Sequence, residues 1–145
     1  MIIGYTAGVY DLFHIGHLNL LKNAKSVCDR LIVGVSTDEL VKEYKNKSPI
    51  ISFSDRIQIV SAITYVDGVV AQRTINKVEM WHRLKFDSLI VGDDWLHTPK
   101  WNKIESELNA LDCRVFYFPR TRGISSTRLN EILDRERKLI SPNNS

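Results

Sequence analysis

The chain is poor in cysteine, with Cys28 and Cys113 the only two in 145 residues. They sit in unrelated contexts and form no C-x-x-C pair, so zinc and thiol-redox motifs have no support. Two reduced, partly buried thiols are the expectation. Long apolar runs are missing too. None approaches the roughly 20 residues that a membrane span requires. The N-terminus has neither a charged leader nor a long apolar stretch, so a soluble, cytoplasmic protein without membrane insertion is expected. Charge of one sign is scarce: 20 Lys and Arg face 17 Asp and Glu, for a net charge of +3. That excess is too small to imply a nucleic-acid partner, and none is expected. It suits a site for small polyanions. No carboxylate cage dedicated to a metal is visible, and no internal repeat or low-complexity segment interrupts the chain.

What is present describes an ordinary globular protein, 43% hydrophobic and 26% charged. One domain over residues 1–140 is expected, with 141–145 as a frayed tail. Short apolar runs alternate with helix-period segments. Strands are predicted at Ile2–Thr6, Leu31–Val35, Val66–Ala71, Ser88–Gly92 and Arg114–Phe118. Helices are predicted at Leu18–Cys28, Ser54–Ile63, Val78–Leu84, Trp101–Leu111 and Ser125–Leu139, and Ser36–Glu39 reads as a further helix cap. Lys42–Pro49 is polar and lysine-rich, and reads as a loop. Strands that alternate with helices, and are apolar throughout, point to an α/β fold: a Rossmann-like, doubly wound parallel sheet with helices on both faces. Ligands of such sheets bind at the carboxyl ends of the strands, near the topological switch point.

Four unusual segments fall at those ends. After the first strand come Gly8-Val9-Tyr10-Asp11 and then His14-Ile15-Gly16-His17. The two histidines lie where a helix starts, on one face of its first turn. Unpaired backbone N–H groups and the positive end of the macrodipole favour anions there. After the last strand, Arg120 and Thr121 lead through Arg122, Gly123 and Ile124 to Ser125, Ser126 and Thr127 at another helix start. Gly123 permits a tight turn, the hydroxyls and backbone N–H groups make a second anion site, and the planar Arg120 guanidinium suits phosphate. Asp94 and Trp95 follow a third strand and offer a carboxylate and an indole to a base. Asp38 follows the second strand as a helix cap first and a ligand second. Lys45 and Lys47 occupy the polar loop. Trp81 and Trp101 read as core or rim aromatics, and Arg128, Arg135, Arg137 and Lys138 as a solvated helix face.

These blocks resemble a known family. His14-x-Gly16-His17 looks like the H-x-G-H signature of the nucleotidylyltransferase superfamily. Arg120–Thr127 resembles the R-T-x-G-I-S-T-S/T signature of its cytidylyltransferase branch. Val91-Gly92-Asp93-Asp94-Trp95 resembles a third block of the bacterial glycerol-3-phosphate cytidylyltransferases. The resemblance runs from about Ile2 to Leu133 and implies transfer of CMP from CTP to an alcohol phosphate. It also implies sn-glycerol 3-phosphate as the preferred acceptor, and with it teichoic-acid or capsule precursor synthesis as the expected pathway. Phosphocholine or phosphoethanolamine as acceptor, an ATP-using adenylyltransferase and a nucleotide-sensing module without turnover are the alternatives.

It further implies catalytic roles for His14, His17, Lys45, Lys47, Arg120 and Ser125. Nucleotide contacts fall to Gly8, Val9, Tyr10, Gly16, Asp94, Trp95, Arg120, Thr121, Gly123, Ile124, Ser125, Ser126 and Thr127. Acceptor contacts fall to Asp11, Asp38, Lys45 and Arg56. Mg²⁺ is expected to travel with the triphosphate, and a homodimer is expected. Three positions depart from the family pattern. Thr64 precedes Tyr65-Val66-Asp67 where an arginine is common, Val9 stands where the glycerol-phosphate enzymes carry threonine, and Arg122 replaces glutamate.

Overall fold

Tyr5 shows how the middle of the sheet is built. Its hydroxyl donates to Gln72 Oε1 at 2.7 Å and passes directly over Gly34. Any Cβ at residue 34 would collide with that hydroxyl. The Tyr5 ring stacks on Phe86, with centroids 4.9 Å apart. One aromatic side chain therefore ties three strands to the start of a fourth.

The computed structural model describes residues 1–121 and 126–140, apart from the side chains of 126 and 137–140. Five strands form one sheet: β1 (Ile3–Gly8), β2 (Arg30–Ser36), β3 (Gly68–Gln72), β4 (Ser88–Gly92) and β5 (Arg114–Phe118). They lie in the order β3-β2-β1-β4-β5, and every pairing is parallel. The helices are α1 (Ile15–Ser26), α2 (Asp38–Lys45), α3 (Phe53–Ser61), α4 (Lys77–Leu84), α5 (Pro99–Asn109) and α6 (Ser126–Ile140). A single 3-10 turn, Asp93–Trp95, follows β4.

The strands are buried on both faces, so two cores form. Leu31, Val33, Val35 and Ile90 pack with Leu21 and Ala24 of α1 and Val60 of α3. Tyr5 and Leu89 pack on the other side with Met80 of α4 and Trp101 and Leu108 of α5. Alternate residues of β4 enter opposite cores, as the two-residue strand period requires. This is the predicted doubly wound sheet. Cys28 and Cys113 are free thiols, the second buried.

Helix boundaries differ from the sequence reading where the capping residue was misjudged. The first helix starts at Ile15, not Leu18, because His14 is its N-cap. The third starts after Ser52 rather than Ser54. The polar segment 42–45 is helical, since α2 runs to Lys45 and ends at Asn46, whose φ of 57° is left-handed. Lysines in the last turn suit the negative end of a helix.

Strand order reverses at β1. Its register with β2 runs from Ile3 to Gly8, but only Gly4 and Tyr5 pair with β4. Beyond Tyr5 the two strands part, and the Thr6 hydroxyl donates to the Ile90 carbonyl at 2.8 Å. That separation opens a crevice at the carboxyl edge, the place where this architecture binds ligands.

Candidate active site

The crevice widens into a cavity of about 650 Å³. Its floor is Thr6–Gly8 of β1 and Val91–Gly92 of β4, and α1, α2, α4, α5 and the 118–121 segment wall it. His14 and His17 enter from the α1 side. Between β1 and α1 the backbone is held in two left-handed residues, Tyr10 (φ 57°) and Leu12 (φ 51°). Each costs a non-glycine residue roughly 1–2 kcal/mol. The turn aims Asp11 at the loop before α3. The buried Asp11 carboxylate accepts the Ile50 and Ile51 amides at 2.8 and 2.9 Å.

The two histidines cap their own helix. His14 Nδ1 accepts the Gly16 amide at 3.0 Å, and His17 Nδ1 accepts the His14 amide at 3.2 Å. This is a capping box with imidazoles in place of serine and glutamate. Because each Nδ1 is an acceptor, each neutral ring carries its hydrogen on Nε2. The rings stack with centroids 3.9 Å apart. Tyr10 and Phe13 pack around His17 at 5.4 and 5.2 Å. Burial, then His14, then Arg120 push the His17 pKa down to about 3. Burial and Arg120 also lower His14. Both are therefore neutral N–H donors at physiological pH. His14 Nε2 is enclosed and has no hydrogen-bond partner among the described residues.

Cations dominate the rest of the wall. Lys45 and Lys47 line it on either side of the Asn46 turn, and burial and Lys47 lower the Lys45 pKa. Arg120 lines it and is ion-paired with Asp94. Gly8, Val9, Tyr10, Asp11, Gly16, Asp94, Trp95, Thr121 and Thr127 also line the cavity. Gly123, Ile124 and Ser125 lie outside the described residues, as does the side chain of Ser126. Among the described residues no cluster of His, Cys, Asp or Glu is arranged to hold a metal ion.

Two expected acceptor ligands are placed elsewhere. Arg56 is fully buried, and its guanidinium is spent on the protein. It donates to the carbonyls of Ile51, Val9 and Ser36 at 2.8, 2.7 and 2.8 Å and to Asp38 at 2.6 Å. Asp38 in turn accepts the Phe53 amide at 3.2 Å, while Thr37 rather than Asp38 caps α2. Neither lines the cavity. The pair instead joins the loops after β1 and β2 to the start of α3, and so positions His14, Lys45 and Lys47.

Two residues were missed. Asn19 donates to the Thr121 hydroxyl at 2.9 Å and fixes the 119–121 segment against α1. Lys77, the first residue of α4, lines the cavity. Its polar position after Asn76 was a signal, since a helix start beyond a strand end faces the same edge. Trp81, by contrast, donates to the Phe86 carbonyl at 3.0 Å and stays off the cavity.

The pattern described as "Cytidylyltransferase-like" matches residues 5–132. The chain is 35% identical to the glycerol-3-phosphate cytidylyltransferase of Bacillus subtilis, over 87% of this chain and 92% of that protein. It is 42% identical to the FAD synthase of Pyrococcus abyssi over 88 residues, 60% of each chain. Among solved structures, a lipopolysaccharide core biosynthesis protein from Thermoplasma volcanium superposes with a TM-score of 0.69 at 26% identity, covering 83% of this chain and 97% of that one. Among the described residues, no helix is long and apolar enough to cross a membrane.

Proposed function

Because the chain belongs to the cytidylyltransferase-like family, a family of nucleotidyltransferases, we propose that it joins CTP to sn-glycerol 3-phosphate and releases CDP-glycerol and pyrophosphate. The observation that carries this reading is the stacked pair His14 and His17, both neutral donors, in a cavity walled by Lys45, Lys47 and Arg120.

A phosphate oxygen of the acceptor attacks the α-phosphorus of CTP. The new P–O bond forms while the bond to the α,β-bridging oxygen breaks, and that electron pair leaves with pyrophosphate. The acceptor is mostly dianionic near neutral pH, its second pKa being ~6, so it needs no strong base. The work left to the protein is positioning and charge stabilisation. In this reading the Nε2–H groups of His14 and His17 donate to oxygens that gain charge as pyrophosphate departs. Lys45, Lys47 and Arg120 add positive charge, and Ser125 adds a hydroxyl. Gly8, Val9, Tyr10 and Gly16 cradle the nucleotide together with Thr121, Gly123, Ile124, Ser126 and Thr127. Asp94 accepts from the cytosine amine, and Trp95 packs on the nucleoside. Asp11 shapes the acceptor side through the loop that it anchors.

Mg²⁺ travels with the triphosphate in this reading and neutralises part of its charge. It is held by phosphate oxygens and waters, as suits an ion that dehydrates reluctantly. A homodimer completes the proposal, with exposed Ile15, Tyr44, Ile50 and Ile59 as apolar surface for a second copy. Light scattering then reports twice the 16.7 kDa chain mass, and a monomer rejects it.

The likeness to an FAD synthase supports a second reading, in which the acceptor is a larger phosphate monoester such as FMN. The test is pyrophosphate release with CTP or ATP, each crossed with sn-glycerol 3-phosphate, phosphocholine, phosphoethanolamine and FMN. Turnover is expected for CTP with glycerol 3-phosphate. Turnover only with FMN selects the second reading. No release from any pair leaves a nucleotide-binding module without turnover.

A further inference from the structure

Tyr10 carries a hydroxyl that packing does not need. The left-handed backbone at this residue (φ 57°) folds its ring back along β1, and a Cβ at Gly8 would lie 3.1 and 3.2 Å from two atoms of that ring. The side chain is buried in the core that holds Leu21, Ala24 and Ile90. A phenylalanine would fill the same space. Instead the Tyr10 oxygen is enclosed, and no hydrogen bond of good geometry satisfies it among the described residues. A buried hydroxyl is costly in that state, so its presence calls for a reason.

Its surroundings supply one. Alternate residues of a strand share a face, so Thr6 is the neighbour of Gly8 on the side where the Tyr10 ring lies. Thr6 is also the side chain that acts on the Tyr10 hydroxyl as a hydrogen-bonding group. It is buried, and its own hydrogen is already given to the Ile90 carbonyl of β4. That leaves the Thr6 oxygen as an acceptor and Tyr10 as the donor that suits it. Both stand where β1 and β4 part, beyond the last pairing, Tyr5 with Leu89. On one side the Tyr10 ring meets His17 edge-on, with centroids 5.4 Å apart. On the other, β4 runs from Ile90 to Val91 and Gly92 on the cavity floor and on to Asp94.

We infer that Tyr10 is a positioning residue for the transfer: its hydroxyl, Thr6 and the Ile90 carbonyl form a clasp that sets how far the histidine turn stands from β4. The inference rests on the cytidylyltransferase reading and adds a residue to it. In that reading the histidines meet the departing pyrophosphate while the β4 side holds the nucleoside. The clasp therefore fixes the spacing between the groups that hold the two ends of one substrate. Errors in that spacing are felt in the transition state, where alignment matters most, more than in binding.

The experiment is a double-mutant cycle of Tyr10→Phe and Thr6→Val, with Thr6→Ser as the conservative variant. Single-turnover formation of CDP-glycerol is followed at saturating CTP and sn-glycerol 3-phosphate. Tyr10→Phe is expected to slow the step by about two- to tenfold, the scale of one hydrogen bond. KM for CTP should stay within about twofold of wild type. Thr6→Val is expected to slow the step at least as much, with Tyr10→Phe adding nothing further to it, and Thr6→Ser to keep most of the wild-type rate. Urea midpoints give a readout independent of turnover. Thr6→Val strands the Tyr10 hydroxyl, so its midpoint falls, and adding Tyr10→Phe restores part of the loss. Thr6→Ala takes the place of Thr6→Val if that chain does not fold. A Tyr10→Phe rate equal to wild type overturns the inference. So do rate losses that multiply in the double variant, because the hydroxyl then acts on something other than Thr6. Wild type that releases no pyrophosphate with any pair of substrates removes the reading of the reaction instead. The urea cycle then decides the clasp alone, and midpoint losses that simply add overturn it.

Discussion

Arg56→Met should unfold the site without touching the substrate. The wild-type guanidinium makes four hydrogen bonds of 2.6–2.8 Å, three to backbone carbonyls and one to Asp38. A hydrogen bond to a charged group contributes about 1.5–3 kcal/mol net. The four are not independent, and Asp38 is 42% exposed, so its carboxylate regains water when the arginine is lost. A total of about 3–5 kcal/mol is therefore expected, the range for removing one member of a buried pair. That is a large fraction of the ~5–15 kcal/mol that holds a typical domain together. Arg56→Lys keeps the charge but cannot fork to four acceptors, and should lose about 2 kcal/mol or more. Urea unfolding followed by circular dichroism measures both. If both variants unfold within about 0.5 kcal/mol of wild type, the experimental scatter of surface changes, while KM for the acceptor rises, the reasoning is refuted. Arg56 would then be an acceptor ligand, as family resemblance alone suggested.

Two further outcomes follow from the same geometry. The His17 pKa of about 3 lies below the ordinary 6.5, so between those values the unfolded chain binds a proton that the folded chain refuses. Stability due to His17 is full above pH 6.5 and is lost as pH falls toward 3, at up to about 1.4 kcal/mol per pH unit. His14 adds in the same direction. Urea midpoints at pH 7, 5.5 and 4.5 should therefore drop more steeply for wild type than for His17→Gln, and parallel slopes would contradict the burial argument. Asn19→Ala removes the bond that holds Thr121. A net bond of about 0.5–1.5 kcal/mol corresponds to a two- to tenfold rise in KM for CTP, with thermal stability nearly unchanged; an unaltered KM would show that the 119–121 segment needs no such tie.

The fold was legible because each strand is a short apolar run and each helix has a capped start. What misled was capping chemistry. Imidazole is outside the usual Ser, Thr, Asp and Asn set, so the helix carrying both histidines appears in sequence to begin three residues late. The site was legible as segments: the residues after β1, β4 and β5 do converge on one cavity. Side-chain direction was not. Arg56 carries the right charge for an acceptor phosphate, yet it points inward because three carbonyls at loop ends require a donor. Lys77 was hidden for the opposite reason. A lone lysine at a helix start looks solvated until the cavity is seen to open beside it.

The central claim is that His14 and His17 act as neutral Nε2–H donors while their Nδ1 atoms hold the helix start. Asparagine at position 17 retains an acceptor where Nδ1 lies but offers no donor at the Nε2 position. Glutamine places an amide N–H near Nε2. Single-turnover rates of CDP-glycerol formation from CTP and sn-glycerol 3-phosphate compare the two with wild type. The account predicts a loss of ~10²-fold or more for His17→Asn, the scale of one transition-state donor, and a much smaller loss for His17→Gln. A His17→Asn rate near wild type, or a His17→Gln rate as low as that of His17→Asn, would contradict it.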